Sequence, residues 1–379
     1  MGTLSAELID DLVQMEPVED RWRDLAESRS NAFVTPDWFH SWWEFQGSRS
    51  SSPLISVVRR EDGSIAGLMP LVLDRSSRPR AIRFAGASIG DRFHPIAEVE
   101  DEDEVAAATL AALEGAGLDG TMLLFEHASS ESRWWRMQNG PPAKRKIVEQ
   151  QQTVAPYIDL RGLDWDGYLA KRSRKFRKQV RRAERTLTRE HGMRIRTTDA
   201  ETLDSDLAVL FRLHDLRRNM LGGSSLGPPA RRSLRRFALA AQRRDWLRLI
   251  VLEADGGPIA AFLGWRFGDS FVSYQGGFDP AWSKQSVGFA LEALAIRAAI
   301  EEGAAEYDFL LGTEDWKRRF TDEERPSQTA IVLRAGRPVW ALVAAEARLR
   351  ALADRFERRP ATRKLVRSMH GLIPTARRS

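Results

Sequence analysis

The sequence has no cysteine among its 379 residues, which excludes disulfide bonds and catalytic thiols and is compatible with the cytoplasm. No apolar run approaches the ~20 residues that a membrane-spanning helix needs. Glu7, Asp10 and Asp11 stand where a signal peptide would carry basic residues, so we expect no signal peptide. The chain also shows no Ser–His–Asp order, no P-loop and no cluster of metal ligands. These absences predict a soluble, cytoplasmic protein that holds no metal.

The composition is that of a soluble globular protein, with 42% hydrophobic and 29% charged residues. The chain is longer than one hydrophobic core usually organises, so we expect two domains. Its charge is unevenly distributed. Residues 1–150 carry 16 lysines and arginines against 25 acidic residues, and the rest of the chain carries 42 against 28. The basic second part predicts an anionic partner, and charge alone leaves coenzyme A, tRNA and a membrane surface open.

Two parts of the chain repeat one pattern. Residues 54–66 and 247–260 each contain two runs of β-formers joined by an Asp-Gly turn, which predicts a hairpin. Residues 110–125 and 296–311 each contain a helical pattern, a glycine and a short apolar strand, at similar spacing. Two copies of one α/β topology are therefore predicted.

These repeats define the expected domain organisation. We expect an N-terminal domain at 1–150, a second domain at 151–335, and an amphipathic helix with a basic tail at 336–379. The tail region carries 11 basic and 3 acidic residues. We expect its helix to pack over the sheet, and its charge to attract an anionic membrane weakly, since each basic residue near such a surface adds only ~1 kcal/mol.

The stretch 274–320 is the one around which the second copy is organised. β-Formers end at Gln275, and Gly276–Gly277 allows a turn where side chains would clash. Ser286 is the expected N-cap of an apolar helix that ends at Gly303. A short apolar strand of the buried parallel type follows at 307–311.

The start of that helix has the features of a phosphate site. Lys284, Gln285, Ser286 and Gly288 surround it, and its first acid is Glu292. A helix N-terminus offers free N–H groups and partial positive charge. The equivalent helix of the first copy is preceded by six acids between residues 98 and 104, which repel a phosphate. We therefore expect one phosphate site, in the second copy.

Two further helices carry candidate functional residues. Residues 168–191 contain ten lysines and arginines opposite an apolar line, which predicts either a solvated cationic face or a surface for nucleic acid or lipid headgroups. In the helix predicted at 206–221, His214 lies beside the packed face, and Arg217 lies one helical turn further along the chain. His214 is interpreted either as a hydrogen-bonded core residue or as a substrate or base residue. The loop at 222–229, rich in glycine, serine and proline, is a candidate lid.

Three segments carry a resemblance to a known family: His214-Asp215-Leu216-Arg217, Gly277-Phe278-Asp279-Pro280-Ala281-Trp282 and Asp308-Phe309-Leu310-Leu311-Gly312-Thr313-Glu314-Asp315-Trp316-Lys317. They resemble the GNAT-related acetyltransferase domain of CelD-like proteins, associated with cellulose or exopolysaccharide biosynthesis. The resemblance is close over about 157–333 and looser in the N-terminal half. Related Fem-type aminoacyl transferases share a double GNAT architecture. The family usually has proline where this chain has Val287, so the first helical turn is less fixed here.

The resemblance implies an α/β fold with tandem GNAT-like domains, each a twisted mixed sheet flanked by helices. It implies that coenzyme A lies on the second domain. The six acids before the helix of the first copy predict that the first domain holds no cofactor. The expected donor-binding residues are Gln275, Gly276, Gly277, Lys284, Gln285, Ser286, Val287 and Gly288. The expected substrate-binding residues are Arg217, Tyr274, Trp282 and Trp316.

The implied activity is N-acyl transfer from acyl-coenzyme A, or an acyl carrier protein, to a small-molecule or peptide amine. Because no nucleophilic triad is present, the amine is expected to attack the thioester directly. Lys317 occupies the place where the Fem-type relatives have a cationic oxyanion stabiliser. Asp279, His214 and Glu314 are candidate bases, and water remains an alternative.

Two other functions remain open. A Fem-type transferase taking an aminoacyl group from tRNA is favoured by the basic helix, but the inserted coiled-coil arm of those proteins is missing from this sequence. A non-catalytic scaffold in exopolysaccharide assembly is suggested only by Val287. The leading interpretation, acyl transfer from a thioester, implies no nucleic-acid partner.

Overall fold

The computed structural model describes residues 4–77, 80–118, 120–130, 145–219 and 226–334. Its strands are β1 (Ser5–Ile9), β2 (Ser51–Arg59), β3 (Ile65–Asp74), β4 (Ala81–Phe84), β5 (Ile96–Ala97), β6 (Met122–Ser129), β7 (Arg145–Asp159), β8 (Arg194–Thr197), β9 (Leu247–Ala254), β10 (Gly257–Phe267), β11 (Ser270–Phe278), β12 (Glu306–Asp308) and β13 (Glu323–Arg334). Its helices are α1 (Glu19–Ser28), α2 (Pro36–Trp42), α3 (Ser48–Ser50), α4 (Glu102–Gly115), α5 (Trp165–Lys171), α6 (Arg174–His191), α7 (Leu203–Asn219), α8 (Pro228–Arg243) and α9 (Val287–Glu301). Among the residues described, none of the helices combines the length and apolarity that a bilayer crossing requires.

One mixed sheet runs through both parts of the chain. Its strand order is β1-β2-β3-β4-β6-β13-β7-β12-β11-β10-β9-β8, with β5 paired to β3. The long strands β7 and β13 pair with each other at the centre, and β13 also pairs with β6 of the first copy. The predicted mixed α/β sheet flanked by helices is therefore confirmed. The expected domain boundary at residue 150 falls inside β7, and the division into domains stays a prediction.

The two copies share one parallel strand pair each. β4 pairs in parallel with β6, which follows α4, and β11 pairs in parallel with β12, which follows α9. The β11–β12 pairing covers only Ser270–Val272 against Glu306–Asp308. β11 then continues to Phe278, whereas β12 ends at Asp308 and the chain turns away two residues later at Leu310, which has a positive φ of 58°. The two strands diverge there, and the gap between them holds the candidate site.

The helices cover opposite faces of the sheet. Along β9, Leu249 and Val251 belong to the core that contains α7 and α8, whereas Ile250 and Leu252 belong to the core that contains α5, α6 and α9. This alternation follows from the two-residue period of a strand. The two helix groups therefore lie on different sides of the second copy.

Aromatic side chains join the first half of the chain to the second. Trp38 of α2 is fully buried and packs edge-on against Phe33, at 4.8 Å between ring centroids, and against Phe237 of α8, at 4.9 Å. Its centroid is also 6.0 Å from that of Trp265 in β10. Edge-to-face aromatic contacts add stabilisation to that provided by the buried apolar area. They therefore hold α2 of the first half against α8 and β10 of the second half.

The structure differs from the sequence expectations at several elements. The single basic helix expected at 168–191 is two helices, because Arg172 is extended and the Ser173 hydroxyl accepts a hydrogen bond from the Phe176 N–H at 3.2 Å, which caps α6. α8 was missed, since Gly-Pro-Pro was interpreted as loop although proline is well suited to a first helical turn. The candidate lid up to residue 225 and the predicted helix and tail at 336–379 lie outside the described residues.

Candidate active site

Two adjoining cavities open where β11 and β12 diverge. We call the first, of about 350 Å³, the central cavity, because both halves of the chain line it. We call the second, of about 340 Å³, the α9 cavity, because the start of α9 lines it. Arg217, Gly276, Glu292 and Trp316 line both cavities. These four residues therefore form the boundary at which the two cavities adjoin, which we call the junction.

The start of α9 faces its cavity with an open N-terminal turn. Ser286 immediately precedes the helix, as predicted, but it has a left-handed φ of 59° and its side chain makes no capping hydrogen bond. The first N–H groups of a helix have no intrahelical acceptor, and no serine hydroxyl satisfies them here. Gly288 allows the approach of the Phe278 ring, which a Cβ would touch at 3.0 Å. The α9 cavity is thus lined by amide donors at one end and by apolar side chains along it.

The predicted donor-binding residues divide into two groups. Gly276, Gly277, Ser286, Val287 and Gly288 line the α9 cavity, and Gln275 lines the central cavity. Lys284 and Gln285 line neither cavity.

The reason is the 3₁₀ turn at Pro280–Gln285. Asp279 begins this turn by accepting a hydrogen bond from the Ala281 N–H at 2.9 Å. Lys284, in the turn, is exposed, and the Trp282 ring packs 4.8 Å from that of His191. Asp279 and Trp282 therefore lie outside the linings of both cavities.

A close backbone contact places the predicted residues of α7. A Cβ on Gly277 would clash with the backbone of His214, so glycine lets β11 and α7 touch. The contact carries His214 and Arg217 to the central cavity. Burial lowers the pKa of His214 to about 4, so this imidazole is neutral at neutral pH.

Arg217 is held at the junction of the cavities. Its Nη1 donates to the Gly276 carbonyl oxygen at 3.1 Å, and its guanidinium lies 5.7 Å from the Phe278 ring centroid and 6.0 Å from that of Trp316. Burial lowers its pKa. A cation fixed between two rings and a carbonyl is positioned to contact a polar group of a bound ligand.

Lys317 is a buried cation in the wall of the central cavity. Its Nζ donates to the carbonyl oxygens of Leu311 at 2.6 Å and Leu310 at 3.2 Å, and it lies 3.2 Å from Glu314 Oε2. Gly312 has φ 139°, and a Cβ there would clash with the Glu314 carboxylate. The Glu314 side chain is 56% exposed, so its bond to Lys317 is the one most open to exchange with a ligand.

A loop of the first half completes the central cavity, and the sequence analysis missed it. Ser88 to Asp91 line the cavity. The Tyr274 hydroxyl, predicted to bind substrate, donates to the Ile89 carbonyl oxygen at 2.7 Å. Asp91 Oδ2 accepts from the Leu311 N–H, and its Oδ1 accepts from the Arg92 N–H, each at 2.8 Å. Burial raises the pKa of Asp91 to about 7.

Arg92, next to it, ties this loop to the β12 strand. Its guanidinium pairs with Asp308 and lies 3.4 Å from Glu306 Oε1, and Arg325 pairs with Glu306 at 2.8 Å. Burial opposes ionisation of Asp308, but Arg92 and Arg325 outweigh it and hold the Asp308 pKa below its usual value. The first half is thus joined by a buried ion-pair network to β12, and the residues that follow this strand, Phe309 to Leu311, line the central cavity.

Glu292 is a second buried carboxyl that the sequence did not single out as functional. It lies on α9 at the junction, and its Oε1 accepts from the Tyr307 hydroxyl at 2.8 Å. Burial raises its pKa, and its hydrogen bonds offset part of that effect. The only signal in the sequence is one acid within the apolar first turns of α9.

Comparisons with known proteins agree with this fold. Solved structures with the same fold include FemX, with a TM-score of 0.62 and 12% identity over 86% of this chain and 98% of that one. A conserved protein of unknown function from Bacteroides thetaiotaomicron has a TM-score of 0.56 and 12% identity, covering 86% and 99%. The C-terminal domain of a putative lysylphosphatidylglycerol synthetase from Agrobacterium fabrum has 0.54 and 14%, covering 88% and 96%.

These identities show the fold alone. No curated protein sequence matches the chain. The CelD-like subfamily stays a prediction. The family described as the acetyltransferase (GNAT) domain matches residues 174–318, which contain α6 to α9, β8 to β12 and Lys317. Residues 174–318 thus match the acetyltransferase (GNAT) domain family, within a fold that the chain shares with FemX.

Proposed function

We propose that this protein transfers an acyl group from acyl-coenzyme A to an amine by direct attack. The observation that carries the proposal is the junction of the two cavities at Arg217, Gly276, Glu292 and Trp316. A thioester arm lying in the α9 cavity ends at this junction. An amine in the central cavity can then reach the thioester carbonyl without a covalent enzyme intermediate.

The α9 cavity has the features that a coenzyme A donor requires. Its open helix start offers amide N–H groups to the diphosphate. Arg319 adds a cation on the lining, held by a hydrogen bond to Gln179 and by a 4.7 Å contact of its guanidinium with the Phe289 ring. Val287, Phe289 and other apolar side chains suit the pantetheine arm.

The structure favours Asp91 as the base. It lies in the central cavity, fixed by two backbone N–H groups, and its pKa of about 7 is well placed for proton transfer near neutral pH. His214, with a pKa near 4, is a weaker base. In the proposed reaction the amine nitrogen forms a bond to the carbonyl carbon, the carbon–sulfur bond breaks, and Asp91 takes the amine proton. The thiolate leaves and is protonated as coenzyme A.

Asp91→Asn should lower kcat by about 10²–10⁴ and remove a pH-dependent step. In the native protein, activity should rise with pH through about 7 as Asp91 ionises.

The raised pKa of Asp91 also makes stability depend on pH. Between about pH 4 and 7 the folded protein keeps the Asp91 proton, whereas the unfolded chain loses it, so the contribution of Asp91 to the free energy of unfolding falls over that window. Initial rates and chemical denaturation between pH 5 and 9 test both effects.

Asp279→Asn is the matched comparison, because Asp279 caps a turn outside both cavities. It should keep the activity step near pH 7. If Asp279→Asn removes the step and Asp91→Asn keeps it, Asp279 is the base and Asp91 is not.

The proposed function is tested by binding and by turnover. Calorimetry should give one coenzyme A per chain, because the equivalent helix start of the first copy, at α4, should not bind a diphosphate. Its nearby cations are already paired, Arg60 with Asp101 and Arg29 with Glu102, and the further acids of its first turn repel phosphate. Mass spectrometry of amines incubated with several acyl-coenzyme A donors should detect an acylated product. The absence of both binding and product would refute the proposal.

A matched pair of glycine variants locates the site. Gly276→Leu should abolish coenzyme A binding and turnover, because the leucine side chain would fill the junction of the two cavities. The protein should still fold, since a Cβ at this position makes only ordinary contacts, one of them 3.9 Å from Arg217 Nη1. Gly257→Leu, at an open position in β10, should leave both intact. Equal losses in the two variants would mean that the effect is structural.

A second candidate is a Fem-type transfer of an aminoacyl group from tRNA. The specific observation in its favour is the cationic face of α6, together with the fold shared with FemX. Transfer from aminoacyl-tRNA without transfer from acyl-coenzyme A would establish it. Ligand binding without turnover from either donor would support the scaffold alternative.

A further inference from the structure

The exposed face of α6 is an unusually dense row of positive charge. A groove of about 490 Å³ runs along it and is lined only by Arg174, Arg177, Lys178, Arg181, Arg182 and Arg185. From the first to the last of these, the helix rises about 17 Å at 1.5 Å per residue. The opposite face is buried in the core through Phe176, Val180, Ala183 and Leu187. The row is therefore a surface for a polar, anionic partner.

The row does not have the composition of a face that is merely solvated. Arg177 and Arg181 are four residues apart, as are Lys178 and Arg182, and like charges at this spacing destabilise a helix. Within the described chain, no acidic side chain forms an ion pair with any of the six. Solvation alone is achieved with mixed charges, which stabilise a helix instead.

The row borders the donor side of the site. Gln179 lies beside the row on α6, next to Lys178, and lines the α9 cavity. Its side-chain oxygen holds Arg319, and its Nε2 lies 3.5 Å from Ser286 Oγ at the start of α9. A macromolecule that delivers a thioester into this cavity would therefore rest on α6.

We propose that α6 docks an acidic acyl carrier protein, whose phosphopantetheine arm enters the α9 cavity. This inference rests on the proposed function and names the donor. The chemistry is unchanged: the amine takes the acyl carbon, the carbon–sulfur bond breaks, and the carrier thiol leaves with a proton. A row of six cations over about 17 Å is longer than one adenosine 3′-phosphate can occupy, and it complements an acidic helix.

The surroundings favour a protein over a nucleic acid or a membrane. Proteins that read a single-stranded RNA end use exposed aromatic side chains. In the part of the chain that the structure describes, the exposed large apolar side chains are Val13, Val99, Ile195 and Leu216, and none is aromatic. A membrane-surface helix turns its apolar face to lipid, whereas that of α6 is covered by the core.

The test compares two donors on a charge-reversed full-length chain. In Arg181→Glu/Arg182→Glu, kcat/KM should fall at least about tenfold with an octanoyl-loaded bacterial acyl carrier protein and stay within about twofold with octanoyl-coenzyme A. The substitutions convert like-charge pairs with Arg177, Lys178 and Arg185 into opposite-charge pairs, so the melting temperature should not fall.

A control variant carries the same change in charge elsewhere. Arg212 and Arg243 are exposed on α7 and α8, on the other side of the sheet, and Arg212→Glu/Arg243→Glu should leave both donors unaffected. Equal loss with this control would show a general charge effect and overturn the docking surface.

The remaining outcomes separate this inference from the proposed function. A native protein that uses octanoyl-coenzyme A but not the loaded carrier refutes the docking surface and leaves the proposed function standing. Equal loss with both donors in the α6 variant assigns the row to the nucleotide phosphates. Transfer from aminoacyl-tRNA that depends on the row assigns it to RNA. Failure with every thioester donor refutes the proposed function itself.

Discussion

Arg92→Met is expected to lower the free energy of unfolding by about 3–5 kcal/mol, the usual cost of removing one partner of a buried ion pair. The substitution keeps most of the side-chain volume but leaves the Asp308 carboxylate buried without its nearest cation. Arg325 remains near it and limits the loss. Denaturant unfolding at neutral pH measures the change.

Two comparisons separate the charge effect from lost packing. Adding Asp308→Asn to Arg92→Met should recover part of the stability, because the unpaired carboxylate is then removed. Arg83→Met, at a less buried pair with Asp74 and Glu126, should cost only about 1 kcal/mol. No recovery in the double variant would show that the loss comes from packing.

The acid side of the stability curve gives an independent check. The lowered pKa of Asp308 means that its contribution is complete above about pH 4, its unfolded value, and is lost as pH falls through the folded pKa. In Arg92→Met this part of the acid dependence should shrink.

The parts of the site that the sequence predicted are the local ones. Gly276–Gly277 was identified as a turn and Ser286–Gly288 as a helix start, from signals within a few residues. The turn was wrong, because both glycines lie inside β11 and pair with β10. The structure places all of these residues in the α9 cavity. Asp279 carried an equally local signal, but Asp-Pro also begins a 3₁₀ turn, and that is the role the structure gives it.

The parts that were missed depend on contacts between distant residues. Asp91 receives a hydrogen bond from residue 311, and Arg92 pairs with residue 308, each more than 200 positions away. No periodicity in the sequence connects a loop of the first copy with the end of a strand in the second. The six acids before the helix of the first copy predicted that this copy has no cofactor, and they gave no sign that it lines the central cavity.

Lys317→Ala is expected to lower kcat by about 10²–10³ and to change the KM for acyl-coenzyme A little, if Lys317 stabilises the oxyanion. An ammonium group has three N–H donors. In the structure they meet Leu310, Leu311 and Glu314, so one must be released for a substrate oxygen. The contact with Glu314 is the most exposed, and its exchange costs least.

Glu314→Gln therefore distinguishes a catalytic Lys317 from one that only holds the Leu310–Gly312 turn. If Lys317 releases its contact with Glu314 in the transition state, Glu314→Gln should leave kcat unchanged or raise it, whereas Lys317→Ala should lower kcat. If Lys317 is purely structural, Lys317→Ala should lower the melting temperature and weaken donor binding, with normal turnover in the folded fraction. Because the two carbonyl contacts hold Nζ at the cavity wall in either case, steady-state kinetics and thermal unfolding on the same samples decide between the two roles.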